Sequence, residues 1–200
     1  MPNWCSNIMT LTHDDPTMIT RAKEAFIKSE FLNEFIPVPQ DLQIVAGQLG
    51  DEAEQKELEL KEELNRITHG YTTWYDFCVI EWGTKWDVGG DSIDEISATS
   101  ITVSFDSAWS PPIAAYEKLV GLGFEVEAMY YEPGMAFAGT YTSEEGDEYY
   151  EYGSMTADEI TDELPTELDE AFGISEYVAE CEDEEDDDED DEDSVDHSQK

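Results

Sequence analysis

Positive charge is what this 200-residue chain has least of. Nine Lys and Arg stand against 51 Asp and Glu, a formal net charge of −42 at pH 7. Between residues 119 and 199 there is no Lys or Arg, while 30 carboxylates fall there; the first 118 residues hold the other 21 acids and eight bases. A field of that sign repels phosphate backbones and anionic lipid and attracts basic protein surfaces. Direct binding of nucleic acid or of a membrane surface is therefore disfavoured, and a basic protein partner is favoured.

Cysteine is also scarce. Cys5, Cys78 and Cys181 are an odd, widely scattered set with no CxxC, so neither a disulfide framework nor a zinc site is expected. No apolar run approaches the roughly 18 residues of a membrane-spanning helix, and no segment joins a charged start to an apolar core as export signals do. A soluble, cytoplasmic protein is the expectation. His13, His69 and His197 lie far apart, and no GxSxG, HExxH, Walker A or GxGxxG accompanies them, so no nucleophile–base pair can be read. Gly121-Leu122-Gly123 reads as a helix stop. The acidic run 182–193 lacks the sixth-position glycine of a calcium loop. No metal, no cofactor and no enzymatic activity are expected.

What is present is a globular pattern followed by an acidic extension. Residues 3–13 alternate and are rich in Thr and Ile, as in a strand. Asp15 and Pro16 then open a helix with Met18, Ile19, Ala22, Ala25 and Phe26 on one face. Residues 50–70 form a charged helical pattern with Leu58, Leu60, Leu64 and Ile67, an insertion expected to pack lightly. Thr73 and Asp76 have capping-box spacing ahead of Trp74, Phe77, Cys78 and Trp82, one face of a short helix capped by Gly83. Trp82 is thus expected in the core. Residues 96–109 read as a strong strand, which residues 85–88 would neighbour if 85–88 and 96–105 pair as adjacent strands, and Ser110 reads as the N-cap of a helix ending at Gly121 or Gly123. Two or three antiparallel strands follow, turning at Glu-Pro-Gly and Glu-Gly-Asp. The order predicts an α+β fold, a ferredoxin-like βαββαβ sandwich with inserted helices, extra C-terminal hairpin strands and an acidic tail. The domain spans 1–153, with the helical insertion at about 50–83. A short helical acidic extension covers 154–181, with Ile174, Tyr177, Val178 and Cys181 at helical spacing, and a disordered acidic tail covers 182–200.

Five separated segments, MPNWCSN, FIPVP, WGTKWDVG, FDSAWSPP and YEPGMAFAGTY, occur within residues 1–142. In that order they resemble the Api92-like, or YubB-type, family of bacteriophages and conjugative plasmids. The resemblance implies a ferredoxin-like domain, without an iron–sulfur cluster, in a mobile-element accessory protein acting in a bacterial host cytoplasm.

Two surfaces are candidates for function. The first is anionic: Glu144, Glu145, Asp147, Glu148, Glu151, Asp158, Glu159, Asp162 and Glu163. Carboxylates two apart on a strand lie about 6.6 Å apart, and those four apart on a helix start about 5–6 Å apart, both similar to the spacing of backbone phosphates. The residues alone fit equally a solvated face beside a disordered tail; the resemblance implies that such a surface mimics nucleic acid and binds a basic, nucleic-acid-handling host protein, in anti-defence or host takeover. Removing 143–200 is expected to leave a folded domain that has lost most of that affinity. The second candidate is an aromatic and polar groove at Thr84, Lys85, Trp86, Asp87, Trp109 and Ser110, in which Lys85 and Asp87 either form an ordinary ion pair or help hold an anionic small molecule or nucleotide. Trp86 and Trp109 are expected to be partly exposed.

Overall fold

A computed structural model of the chain describes residues 2–90 and 92–182. Beyond Glu182, the expected disordered tail lies outside the described residues. The fold is α+β, built on a six-stranded sheet in the order β2-β3-β1-β4-β5-β6, with every neighbouring pair antiparallel. The strands are β1 (Trp4–Thr12), β2 (Ile93–Ile96), β3 (Ser100–Ala108), β4 (Glu125–Glu132), β5 (Phe137–Thr142) and β6 (Gly146–Glu151).

Alternation along β1 decides the layers. Cys5, Asn7, Met9 and Leu11 are buried toward the helices, whereas Trp4, Ser6, Ile8, Thr10 and Thr12 face the other way. Helices α1 (Pro16–Ile27), α2 (Phe31–Phe35), α4 (Trp74–Glu81) and α5 (Ile113–Gly121) cover the first face. Phe26, Phe31, Trp82, Tyr116 and Leu119 meet Met9, Val103, Phe105 and Val126 there. Helix α1 starts as the sequence indicates: the Asp15 carboxylate accepts from Thr17 N at 2.9 Å, and Pro16 takes the first turn. Helix α3 (Glu52–His69) packs lightly, as expected. Leu58 and Asn65 are buried, while Leu60, Leu64 and Ile67 stay exposed.

Three expectations are corrected. Residues 85–88 are not a strand; the strand beside β3 is 93–96, joined to it by a tight turn in which Ser97 N donates to Ser100 O at 2.8 Å. The physical reason is that 87–90 is spent on the α1–α2 junction. Phe31 N donates to Val88 O, Gly90 N donates to Phe26 O, and a Cβ on Gly89 would collide with the backbone of Phe26 and Ser29. Second, Ser110 is not an N-cap, because α5 begins at Ile113 behind Pro112. A residue before proline is pushed out of the helical region, so Pro112 keeps Pro111 extended and delays the helix. Third, Thr73 occupies the N-cap of α4 without a side-chain bond; Asp76 accepts instead from Thr72 N and Thr72 Oγ1.

The second face of the sheet is half covered. Helix α6 (Ala157–Glu163), opened by a capping box between Thr156 and Glu159, leads into α7 (Thr166–Phe172) and helical residues 174–182. Ile160, Leu164, Leu168 and Ile174 bury against Ala138 and Tyr152, with Met129 and Tyr131 beside them. The acidic extension therefore docks on β4 and β5. Among the described residues no helix covers the β1–β3 half, which presents cross-strand hydroxyl contacts, Thr10 to Thr102 at 2.9 Å and Ser6 to Asp106 at 2.9 Å.

Candidate functional site

Three of the five segments singled out in the sequence, MPNWCSN, WGTKWDVG and FDSAWSPP, meet at one end of the sheet, and YEPGMAFAGTY reaches the same place through its turn; FIPVP joins them through Trp82 alone, while its Phe35 packs against Phe124, which leads into the opposite end of β4. Trp82 is buried, and its Nε1 donates to Ile36 O at 2.9 Å. Ser110 Oγ donates to Gly83 O at 2.7 Å. Thr84 Oγ1 donates to Ala108 O at 3.0 Å and accepts from Ala108 N at 3.1 Å, a hook that is itself buried. Trp109 N donates to Asn3 O at 2.9 Å. Gly134, at the turn after β4, lies so close to Asn3 that a Cβ would meet its amide at 2.6 Å. In that turn the buried Glu132 carboxylate accepts from Gly134 N at 2.9 Å and Met135 N at 2.6 Å.

The residues of the proposed groove divide on this scaffold. Trp86 and Trp109 are exposed, as expected. Lys85 and Asp87 do not pair. The Asp87 carboxylate turns inward to accept from Leu32 N at 2.6 Å, Asn33 N at 3.1 Å and Val88 N at 2.9 Å, which ties down the start of α2. Burial raises its pKa, against those three N–H donors. Lys85 Nζ instead lies over the Trp86 ring at 4.6 Å and near the Tyr75 ring at 5.7 Å. The corner thus offers no converging Lys–Asp pair to hold an anion. Thr84 and Ser110 are structural hooks.

The sequence reading missed Trp4. Its indole is 47% exposed and tilts against Trp86 with ring centroids 5.8 Å apart, so the ledge includes β1 as well as the loops. The alternation of β1 carried the signal, since Trp4 shares its face with Ser6 and Thr10. Trp109 carries a second unread feature, a backbone φ of 74°. A bulky residue there is strained by about 1–3 kcal/mol and is retained only where its surroundings dictate it. The surroundings are buried hydrogen bonds: Asn7 Nδ2 to Ser107 Oγ at 2.9 Å, Ser107 Oγ to Ser110 O at 2.8 Å, and the Thr84 hook. Trp109→Gly is expected to leave stability unchanged or raise it by up to about 1 kcal/mol, because glycine adopts this φ freely. Trp109→Ala keeps the strain and gains nothing. Denaturant midpoints of the two variants check this, and a loss above about 1 kcal/mol in the glycine variant would make the indole a packing element.

The thiols nearby are quiet. Burial pushes Cys5 and Cys78 up to about 12. Among the described residues no group of three or more His, Cys, Asp or Glu is placed to hold a metal ion, and no helix is long and apolar enough to cross a membrane.

On the anionic surface all nine named carboxylates are exposed, but they are not equivalent. Glu159 is engaged in its capping box, accepting from Thr156 N at 2.8 Å. Asp147 accepts from Tyr130 Oη at 2.8 Å, and burial raises its pKa. On β6, Asp147 and Glu151 point to the α5 side and Glu148 to the α6 side, since Asp147 faces Tyr141 and Glu148 faces Thr140. No two carboxylates stand two apart on that strand, so among these nine the phosphate-like spacing is found on α6, at Asp158 and Asp162 and at Glu159 and Glu163. The last base before the uninterrupted acidic stretch, Lys118, is paired to Glu81. That bond, and then the Tyr71 hydroxyl, hold the Glu81 carboxyl below its ordinary value. From β4 to helical residues 174–182 the fold contains no Lys or Arg.

No family model matches this chain, and no curated protein matches it. Among solved structures, the crystal structure of a protein api92 from Yersinia pseudotuberculosis is similar at a TM-score of 0.42 and 14% identity, covering 77% of this chain and 99% of that one.

Proposed function

We propose that this chain is a non-enzymatic accessory protein of the Api92-like type, of phage or conjugative-plasmid origin. It binds a basic, nucleic-acid-handling protein in the cytoplasm of a bacterial host, in anti-defence or host takeover. The βαββαβ core with neighbours β2-β3-β1-β4 supports a ferredoxin-like reading of the domain. The observation that carries the function is segregation of charge. One half of the fold, β4 to β6 with the helices that cover their far side, displays exposed carboxylates and no cation. That arrangement steers a basic surface toward this half and rejects nucleic acid itself. The regular carboxylate pairs on α6 support local mimicry of phosphates.

The test is capture from a bacterial lysate on the immobilised full chain at low salt, followed by elution with salt or with duplex DNA. Proteins that duplex DNA displaces, and whose retention falls steeply between about 50 and 200 mM salt, are the expected result. Capture indifferent to both salt and DNA would overturn the proposal.

Trp109 favours a second reading, in which the ledge of Trp4, Trp86 and Trp109 receives a small molecule or nucleotide by stacking. With Asp87 turned inward, Lys85 is the charged group left at that corner for an anion. A thermal-shift screen with Lys85→Ala and Trp109→Gly as controls separates this reading from the first.

A further inference from the structure

We infer that β6 is a docking edge for an extended Lys/Arg-rich peptide segment, which adds beside it as a seventh antiparallel or parallel strand. This rests on the anionic reading above and names how the partner is held.

The sheet has two edges, and they are built differently. β2 is four residues long, and its register against β3 shifts between Ile93 and Glu95. Short, bulged strands make poor templates. β6 is six residues long and stays in one register with β5 from Gly146 to Glu151, with no proline and no bulge. Its outward backbone is unpaired among the described residues. Tyr152 N donates to Ala136 O at 3.0 Å, one step beyond the pairing of Phe137 with Glu151. In an antiparallel ladder the bonded residues alternate. Gly146, Glu148 and Tyr150 therefore bond to β5, and the N–H and C=O of Asp147, Tyr149 and Glu151 point away from the sheet. Among the described residues no backbone hydrogen bond engages those outward N–H groups.

Charge selects the occupant. Asp147, Glu148 and Glu151 make pairing with a second copy of this chain, or with any acidic strand, repulsive. The same three carboxylates favour Lys or Arg on a partner strand, on either side of the sheet. Tyr149, 51% exposed and braced against Phe137 at 5.4 Å, offers a ring face to a guanidinium or ammonium on the α5 side. Tyr150, partly buried with the α6 core, offers an apolar neighbour on the other side. A strand alternating basic and apolar residues fits both, in the manner of strand addition with side-chain selection.

The test uses the full-length chain and a blocked peptide of alternating Lys and Val. The comparison peptide has the same sequence with every second amide N-methylated, which keeps the charge and removes the ladder donors. The unmodified peptide is expected to bind at least tenfold more tightly and to slow hydrogen exchange at the Tyr149 amide. Tyr149→Pro should abolish the tenfold preference and leave the melting curve nearly unchanged, because that N–H serves no β5 bond. Tyr149→Ala, which keeps the N–H, should retain it. Equal, salt-sensitive binding of both peptides would overturn strand addition and leave the anionic surface standing. Binding of neither peptide at low salt would overturn both.

Discussion

A chain shortened to residues 1–142 is expected to show no cooperative thermal unfolding, whereas one ending at Glu182 should melt as the full-length protein does. Packing argues against the expectation from sequence that 143–200 can be removed from a folded domain. Cutting at 142 deletes β6 and strips β5 of one neighbour. It also removes Ile160, Leu164, Leu168 and Ile174, all buried against the second face of the sheet. At about 1.5–3 kcal/mol per fully buried aliphatic side chain, these four account for roughly 6–12 kcal/mol. A domain of this size is stable by only about 5–15 kcal/mol in total. The deletion further uncovers Ala138, Met129 and Tyr131, an apolar patch on a sheet that would have a new bare edge. Residues 183–200 are a different matter. They consist mainly of acids, with Val195 the only large apolar residue, and have little to bury. Removing them relieves self-repulsion, so the chain ending at 182 should match or slightly exceed the full-length midpoint at low salt. Circular-dichroism melts of the three lengths check this. A cooperative transition in the 1–142 chain would mean that the helical cover contributes little.

The same contrast shows what a sequence makes legible. Asp15-Pro16 marks a helix start by local chemistry, and the structure keeps it. The light packing of α3 was legible because its apolar residues are few among charges. The second strand was misplaced because its rival, residues 85–88, is held by non-local bonds. The Asp87 carboxylate reaches Leu32 N, 55 positions away, and nothing in the tripeptide Trp-Asp-Val announces that. Ser110 looks like a cap until the two prolines that follow it are given their conformational weight. In the candidate site, exposure of Trp86 was legible from its position beyond a helix stop, whereas Trp109 directly follows a strand. The partnership of Trp4 with Trp86 was not legible, because it depends on how a loop folds over the first strand. The left-handed backbone at Trp109 is set by the Thr84 hook and the Asn7–Ser107–Ser110 chain of bonds, which join positions up to 100 residues apart.

The paired tryptophans of residues 82–86 supply the second large effect, because the fold assigns them opposite tasks. Trp82→Ala is expected to cost about 3–5 kcal/mol, the range for deleting a buried large aromatic side chain. Its ring is 4% exposed and meets Phe77 edge to face with centroids 6.4 Å apart. Its Nε1 also satisfies Ile36 O, which follows α2, so the alanine variant leaves a carbonyl without that donor next to a cavity. Trp82→Phe refills most of the volume but not the bond, and should recover part of the loss. Trp86→Ala, by contrast, removes a partly exposed ring and its contacts to Trp4 and Lys85, worth no more than about 2 kcal/mol together. Urea titrations of the three variants give the ordering Trp82→Ala far below Trp82→Phe, with Trp86→Ala nearest the parent. If Trp86→Ala proved as damaging as Trp82→Ala, the indole of Trp86 would belong to the core, and the ledge would shrink to Trp4 and Trp109.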